Sequence, residues 1–229
     1  MKSIKIYSLL LLMAFAQAGF SQNIPADSIY NESEISINKF IDGTLTIPKN
    51  AEKPNLVILI QGSGPVDRNG NANMMKNDAS KKIAHQLAAN EIASFRFDKR
   101  IFKMQRLNIQ EQDLKFEDFV TDVVSILSYF KQQNQYEKII LAGHSEGSLI
   151  GILAAQQEGA DAFISLAGAG RSIDSIVVEQ LSKQSAELAQ NARESFDEIK
   201  ATGTSTNYNP LLVSIFRPSV QPFIGSWMQ

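Results

Sequence analysis

The chain of 229 residues is 44% hydrophobic and 20% charged, an ordinary balance for a single globular core. A formal net charge of −2, with no long basic run, gives no footprint for nucleic acid or an anionic membrane surface. The absence of cysteine excludes a disulfide framework, a thiolate metal site and a cysteine-borne lipid anchor.

At the N-terminus, Lys2 and Lys5 precede an apolar run from Ile6 to Ala16, and Ala16-Gln17-Ala18 makes a small-x-small cleavage pattern. The run is shorter than the roughly 20 residues that span a bilayer. Residues 1–21 are therefore expected to be a secretory signal, cut after Ala18 or Ser21, that sends a mature protein to the periplasm or beyond, free of the membrane. Residues 22–229 are expected to be one domain.

Asn23 to Glu34 is polar and reads as a loose leader, and Ile35 to Ile47 alternates as strands do around a turn at Asp42-Gly43. The pattern then changes. Leu56 to Ile60 is continuously apolar, as expected of a strand covered on both faces, and Ala93 to Phe97, Lys138 to Ala142 and Ala162 to Ala167 resemble it.

Helical periods lie between these runs: Asn77 to Asn90, Leu114 to Phe130, and Ser145 to Gln157. In the second, Phe116, Phe119, Val120, Val123, Leu127 and Phe130 form one stripe, which leaves Glu117, Asp118 and Asp122 for water. Strands alternating with helices predict a mostly parallel sheet with helices on both faces, an α/β fold. From Arg171 to Ala201 the sequence predicts a long helical segment, followed by a loop "TGTSTNYNP" and an apolar, aromatic tail. With no further β-run, residues 171–229 read as a helical cap or insertion over the strand ends.

The chemistry-bearing stretch is Gly143-His144-Ser145-Glu146-Gly147, set between an apolar strand and an apolar helix. A serine held on a sharp strand-to-helix turn leaves no room for side chains two residues to either side, so glycine is needed at both. Small Ser148 and Gly151 let the helix approach the sheet, and Ser145 stands at a helix N-terminus that favours developing negative charge. After the first buried strand comes Gln61-Gly62-Ser63-Gly64-Pro65-Val66-Asp67-Arg68-Asn69-Gly70, a glycine-rich loop able to point backbone N–H groups at an oxyanion. A dinucleotide loop would need glycine where Asp67 stands, and no phosphate-binding lysine motif is present. Neither a cofactor nor a metal is expected.

The motifs "QGSGPVDRNG", "FRFDKR", "GHSEGS" and "LAGAGRSID", in this order, resemble the EstD-like bacterial carboxylesterases of the α/β-hydrolase superfamily, from about residue 35 onward. The resemblance implies the α/β-hydrolase fold, a small-molecule acyl ester as substrate, an acyl-serine intermediate and Ser145 as nucleophile. It assigns one oxyanion-hole N–H to Glu146 and the second to Ser63, with Gly62 the alternative. Gln61 departs from the histidine usual in such loops, and Ser148 from the last glycine of the elbow pattern.

A serine of this kind needs a general base, by superfamily order a histidine after the nucleophile and an acid between them. The two histidines are His85, inside a helical pattern, and His144, beside the serine and directed away from its hydroxyl. Asp161, Asp174, Glu179, Asp197 and Glu198 follow the serine but read as helix-face or turn residues. The strands that should carry the acid and histidine loops have no counterpart in the pattern, so the expectation is a C-terminally incomplete hydrolase, nearly inactive alone. Asp67 and Arg68 are expected to brace their loop by pairing, Asp98, Lys99 and Arg100 to form salt bridges at a strand end, and Phe223 and Trp227 to pack in a core or line an acyl pocket. Two other readings stay open: an aminopeptidase-like hydrolase with a cap carboxylate for the substrate amine, and a non-catalytic binding remnant.

Overall fold

The computed structural model describes residues 29–73 and 75–229, so the expected signal segment lies outside the described residues. Six strands, β1 (Tyr30–Asn38), β2 (Ile41–Pro48), β3 (Leu56–Ile60), β4 (Ala93–Phe97), β5 (Ile139–His144) and β6 (Ala162–Leu166), form one sheet of order β1-β2-β4-β3-β5-β6. β1 and β2 are antiparallel to their neighbours, and β4, β3, β5 and β6 run parallel.

The apolar run of β3 is buried along its whole length because its two faces meet different helices. Val57 and Leu59, with Ala142 of β5, pack against Ala84 of α1 (Ala79–Ala89). Leu56, Ile58, Ile60 and Leu141 pack against Ile126, Leu127 and Phe130 of α2 (Phe116–Gln133) and against Ile150 and Ala154 of α3 (Glu146–Glu158). Beyond β6 come α4 (Ile173–Ser182), α5 (Ala186–Thr202) and α6 (Gln221–Trp227). They and a short turn at Val213–Phe216 build a second core around Phe196, Ile199, Leu212, Phe216 and Ile224. Among the described residues no helix is long and apolar enough to cross a membrane.

Five expectations need correction. The end of the polar leader is structured: β1 begins at Tyr30, because Glu32 and Glu34 hydrogen-bond Thr46 and Thr44 of β2 and ion-pair with Arg96 and Arg68. Asp42-Gly43 is not the turn; the chain reverses at Lys39-Phe40, and Gly43 lies within β2 because the Phe95 ring of β4 occupies the place of its Cβ. Asp122 does not face water but is 3% exposed, its carboxylate held by two hydrogen bonds of 2.7 and 2.8 Å from buried Arg100. β6 is an exposed edge rather than a covered strand: Phe163 and Ser165 face α3, whereas Ile164 and Leu166 are 44% and 39% exposed. The helical segment after Arg171 breaks at Lys183–Ser185, where the Ser185 hydroxyl accepts from the Leu188 N–H and starts a new helix.

Candidate active site

β5 delivers Ser145 onto a turn with φ 52° and ψ −119°, a left-handed conformation that costs a non-glycine residue about 1–3 kcal/mol and persists only where its surroundings hold it. Here the Ser145 N–H donates to the Leu166 carbonyl at 2.9 Å, and the Ser145 carbonyl accepts from the Ser148 N–H at 2.9 Å. The flanking glycines are obligatory. A Cβ on Gly143 would lie 2.1 Å from the Gly147 carbonyl oxygen, and one on Gly147 would lie 2.5 and 2.6 Å from the carbonyl oxygens of Ile60 and Gln61. Gly151 lets α3 settle on Phe163 and Ile60 in the same way. The Ser148 hydroxyl donates to the Gly143 carbonyl, a use for the side chain that replaces the usual glycine.

The loop after β3 lies against this turn: a Cβ on Gly62 would sit 3.3 Å from the Ser145 Cβ. Buried Gln61 donates from its side-chain amide to the Ser80 hydroxyl at 2.7 Å, which ties the loop to α1. Asp67 accepts the N–H groups of Asn69 and Asn71 instead of pairing with Arg68. Arg68 turns to Asp98, at 2.6 and 2.9 Å, and to Glu34, because these carboxylates, one just past β4 and one on β1, lie beside the loop. Lys99, at the end of β4, is 5% exposed and donates to the carbonyls of Gly62 and Gly64. Burial pushes the Lys99 ammonium below its usual range and the Glu146 carboxyl above its own, while each charge pulls the other back.

Ser63, Lys99, Ser145 and Glu146 all open onto a cavity of about 670 Å³ between the C-terminal ends of the strands and the helical region beyond β6. Its other walls are chiefly apolar, with Ile101, Phe119, Ile176 and Val220 beside Phe223 and Trp227. Phe223 and Trp227 line the cavity and pack on Phe116 and Phe119, Trp227 stacking on Phe116 at 5.5 Å between ring centres. Among the described residues, no acceptor meets the N–H groups of Ser63 and Glu146.

The histidines are elsewhere. His85 packs its ring at a tilt against Tyr30 and contacts Glu32 at 3.2 Å, and His144 is solvent-exposed; neither lines the cavity. Asp161 accepts the Ile139 N–H, Asp174 is held by Lys200 and Arg193, and Glu179 and Asp197 pair with arginines on their own helices or nearby. Among the described residues no group of three or more His, Cys, Asp or Glu side chains is arranged to hold a metal ion. The roles of Lys99 and of Glu111, which lines the cavity while bonded to Arg217 and Ser219, were not separable in sequence from those of ordinary surface charges.

Residues 76–210, more than half of the chain, match the family described as serine aminopeptidase, S33. The chain belongs to this family. As an S33-family chain with a mostly parallel sheet between helical layers, it has the α/β-hydrolase fold expected from its motifs. It is 27% identical over 170 residues to Esterase EstD of Thermotoga maritima, an alignment that covers 73% of this chain and 40% of that protein. The chain thus spans well under half the length of the curated relative it matches. Solved structures that overlap it include Est1E from Butyrivibrio proteoclasticus (23% identity, 63% of this chain and 54% of that one, TM-score 0.46) and brefeldin A esterase, a bacterial homologue of human hormone sensitive lipase (14%, 74% and 48%, TM-score 0.49). At these TM-scores neither overlap carries weight for the details of this S33 site.

Proposed function

We propose that this chain is a serine hydrolase that cleaves small carboxylic esters through an acyl-serine intermediate. The observation that carries the reading is the strained Ser145 turn opening, beside two unused N–H groups, onto an apolar cavity. In this reading the Ser145 Oγ attacks the acyl carbon, and the carbonyl electrons pass to its oxygen, which accepts hydrogen bonds from the N–H groups of Ser63 and Glu146. Such donors act on charge that develops only in the transition state, and one is worth about 10²–10³ in kcat. The serine proton goes to a general base and then to the departing alcohol, and water releases the acid. No described histidine lines the cavity, so this base lies outside the described site.

The carboxylates that line the cavity favour an ester over a peptide amine. Glu111 is occupied by Arg217 and Ser219, and Glu146 faces Lys99, so neither is open to hold a substrate ammonium. A second reading, a hydrolase-fold binding module without turnover, is favoured by the cavity's lack of a histidine among the described residues. The test takes the full-length protein encoded by the gene, a fluorophosphonate probe and p-nitrophenyl butyrate. Hydrolysis together with a probe adduct on Ser145, both lost in Ser145→Ala, is the expected result. Ligand binding without adduct or turnover would establish the second reading in its place.

A further inference from the structure

The glycine-rich loop presents successive peptide groups to the elbow, and three of them are spoken for in different ways. A trans peptide is planar, with its C=O and the following N–H pointing in opposite directions. The Gln61 carbonyl oxygen lies 2.6 Å from where a Gly147 Cβ would be, so the Gly62 N–H of that peptide is directed away from the first turn of α3. The Gly62 carbonyl is taken by the Lys99 ammonium, so the Ser63 N–H points to the other side, away from Lys99. The Gly64 carbonyl also accepts from Lys99, at 3.2 Å, and its peptide has no N–H to offer because the next residue is Pro65.

Lys99 itself is fixed. It stands two residues past β4, is 5% exposed, carries its ammonium 5.8 Å from the centre of the Phe119 ring and has buried Glu146 as its countercharge. Its donors go to the loop carbonyls, and no hydrogen bond joins it to the Ser145 hydroxyl among the described residues. This is the arrangement of a brace and not of a proton acceptor. A cation on the Gly62 carbonyl also polarises that peptide, which strengthens its N–H as a donor.

Resting on the hydrolase reading above, we infer that Lys99 is the positioning residue of the oxyanion hole: by gripping the Gly62 and Gly64 carbonyls it aims the Ser63 N–H, and thereby selects Ser63 over Gly62 as the donor. The deciding measurement is hydrogen–deuterium exchange of the segment 61–68 in the full-length protein, paired with steady-state hydrolysis of p-nitrophenyl butyrate. Lys99→Met is expected to speed exchange at Ser63 and Gly64 about tenfold or more and to lower kcat about 10- to 100-fold with KM little changed, since only transition-state binding is lost. Lys99→Arg, which keeps charge and donors, is expected to recover slow exchange and most of kcat. If Lys99→Met does not fold, Lys99→Gln is read in its place with the same expectations at reduced size. Wild-type exchange in a folded variant without the ammonium, or a drop in kcat matched by an equal rise in KM, overturns the inference. A wild-type protein that never modifies Ser145 defeats the hydrolase reading separately, and the exchange data still decide whether Lys99 sets the loop.

Discussion

Ser145 can occupy its strained conformation only because Gly143 and Gly147 leave space for the backbone to close beneath it. The predicted cost of filling that space follows from what the new methyl would strike. In Gly147→Ala the methyl meets two carbonyl oxygens of β3 and its loop, rigid atoms that cannot swing aside. The expected destabilisation is about 1–3 kcal/mol, read as a lower urea midpoint with unchanged slope, accompanied by loss of probe labelling at Ser145. Gly170, with nothing within 4 Å of its Cβ position, is the control, and Gly170→Ala should leave both measurements where they were. The glycines were legible in sequence because they stand at fixed offsets of two from the serine, although the atoms that a Gly147 methyl would strike belong to β3 and its loop. Lys99 was not, since a lysine at a strand end reads as a surface charge until the loop it grips, 35 and 37 residues earlier, is folded against it.

Among the elements, α4 and α5 are fastened to each other through one carboxylate. Asp174 of α4 is 2% exposed and receives Lys200 at 2.6 Å and Arg193 at 2.8 Å, both from α5. Burial pushes the Asp174 carboxyl up, but hydrogen bonds from Lys200, Ser172 and Arg193 outweigh it and hold the group well below the usual carboxylate range. A carboxylate depressed in the fold contributes stability in full above its unfolded pKa of about 4, and that contribution fades as pH falls toward the folded value. Urea midpoints should therefore decline between about pH 5 and pH 2 in the wild type. Asp174→Asn should cost about 1–3 kcal/mol at neutral pH and flatten the decline. A variant with the wild-type slope would show that the acid sensitivity arises elsewhere, Glu32, Asp42 and Glu111 being other depressed carboxyls with partners on different elements. The helices were readable from their period, but the break between α4 and α5 was not. Polar residues suit a helix surface and a helix start equally, and Ser185 became a cap only once α5 folded back along α4.

At the scale of the molecule, the cavity joins the sheet to the helical region, and the single tryptophan of the chain lies in its wall. Trp227 stacks on Phe116 of α2 while belonging to α6, so it reports on both the seam and the pocket. An apolar ester or carboxylic acid that enters the pocket should shift or quench its emission saturably, in Ser145→Ala as in the wild type. Trp227→Phe should remove the signal and weaken the seam by about 1–2 kcal/mol. Binding that leaves the emission untouched would place the acyl group outside this cavity. β3 was evident in sequence from its unbroken apolar run, and β4 and β5 from runs that resemble it, although β4 also buries Ser94 and Arg96; β6 carries a similar run and lies exposed on the face of Ile164 and Leu166. An apolar run records that a strand can be covered, and whether a helix arrives to cover it is settled by the rest of the chain.

By itself the sequence determined the alternation of strands and helices, the turn that carries Ser145 and the glycine-rich loop beside β3, because each depends on residues within a few positions of one another. Only the tertiary structure decided which carbonyls of that loop Lys99 grips, which acids neutralise Arg100, and where the turn between β1 and β2 falls. Those outcomes depend on groups far apart in the chain competing for the same buried donors and the same space, and such competition has no trace in local spacing.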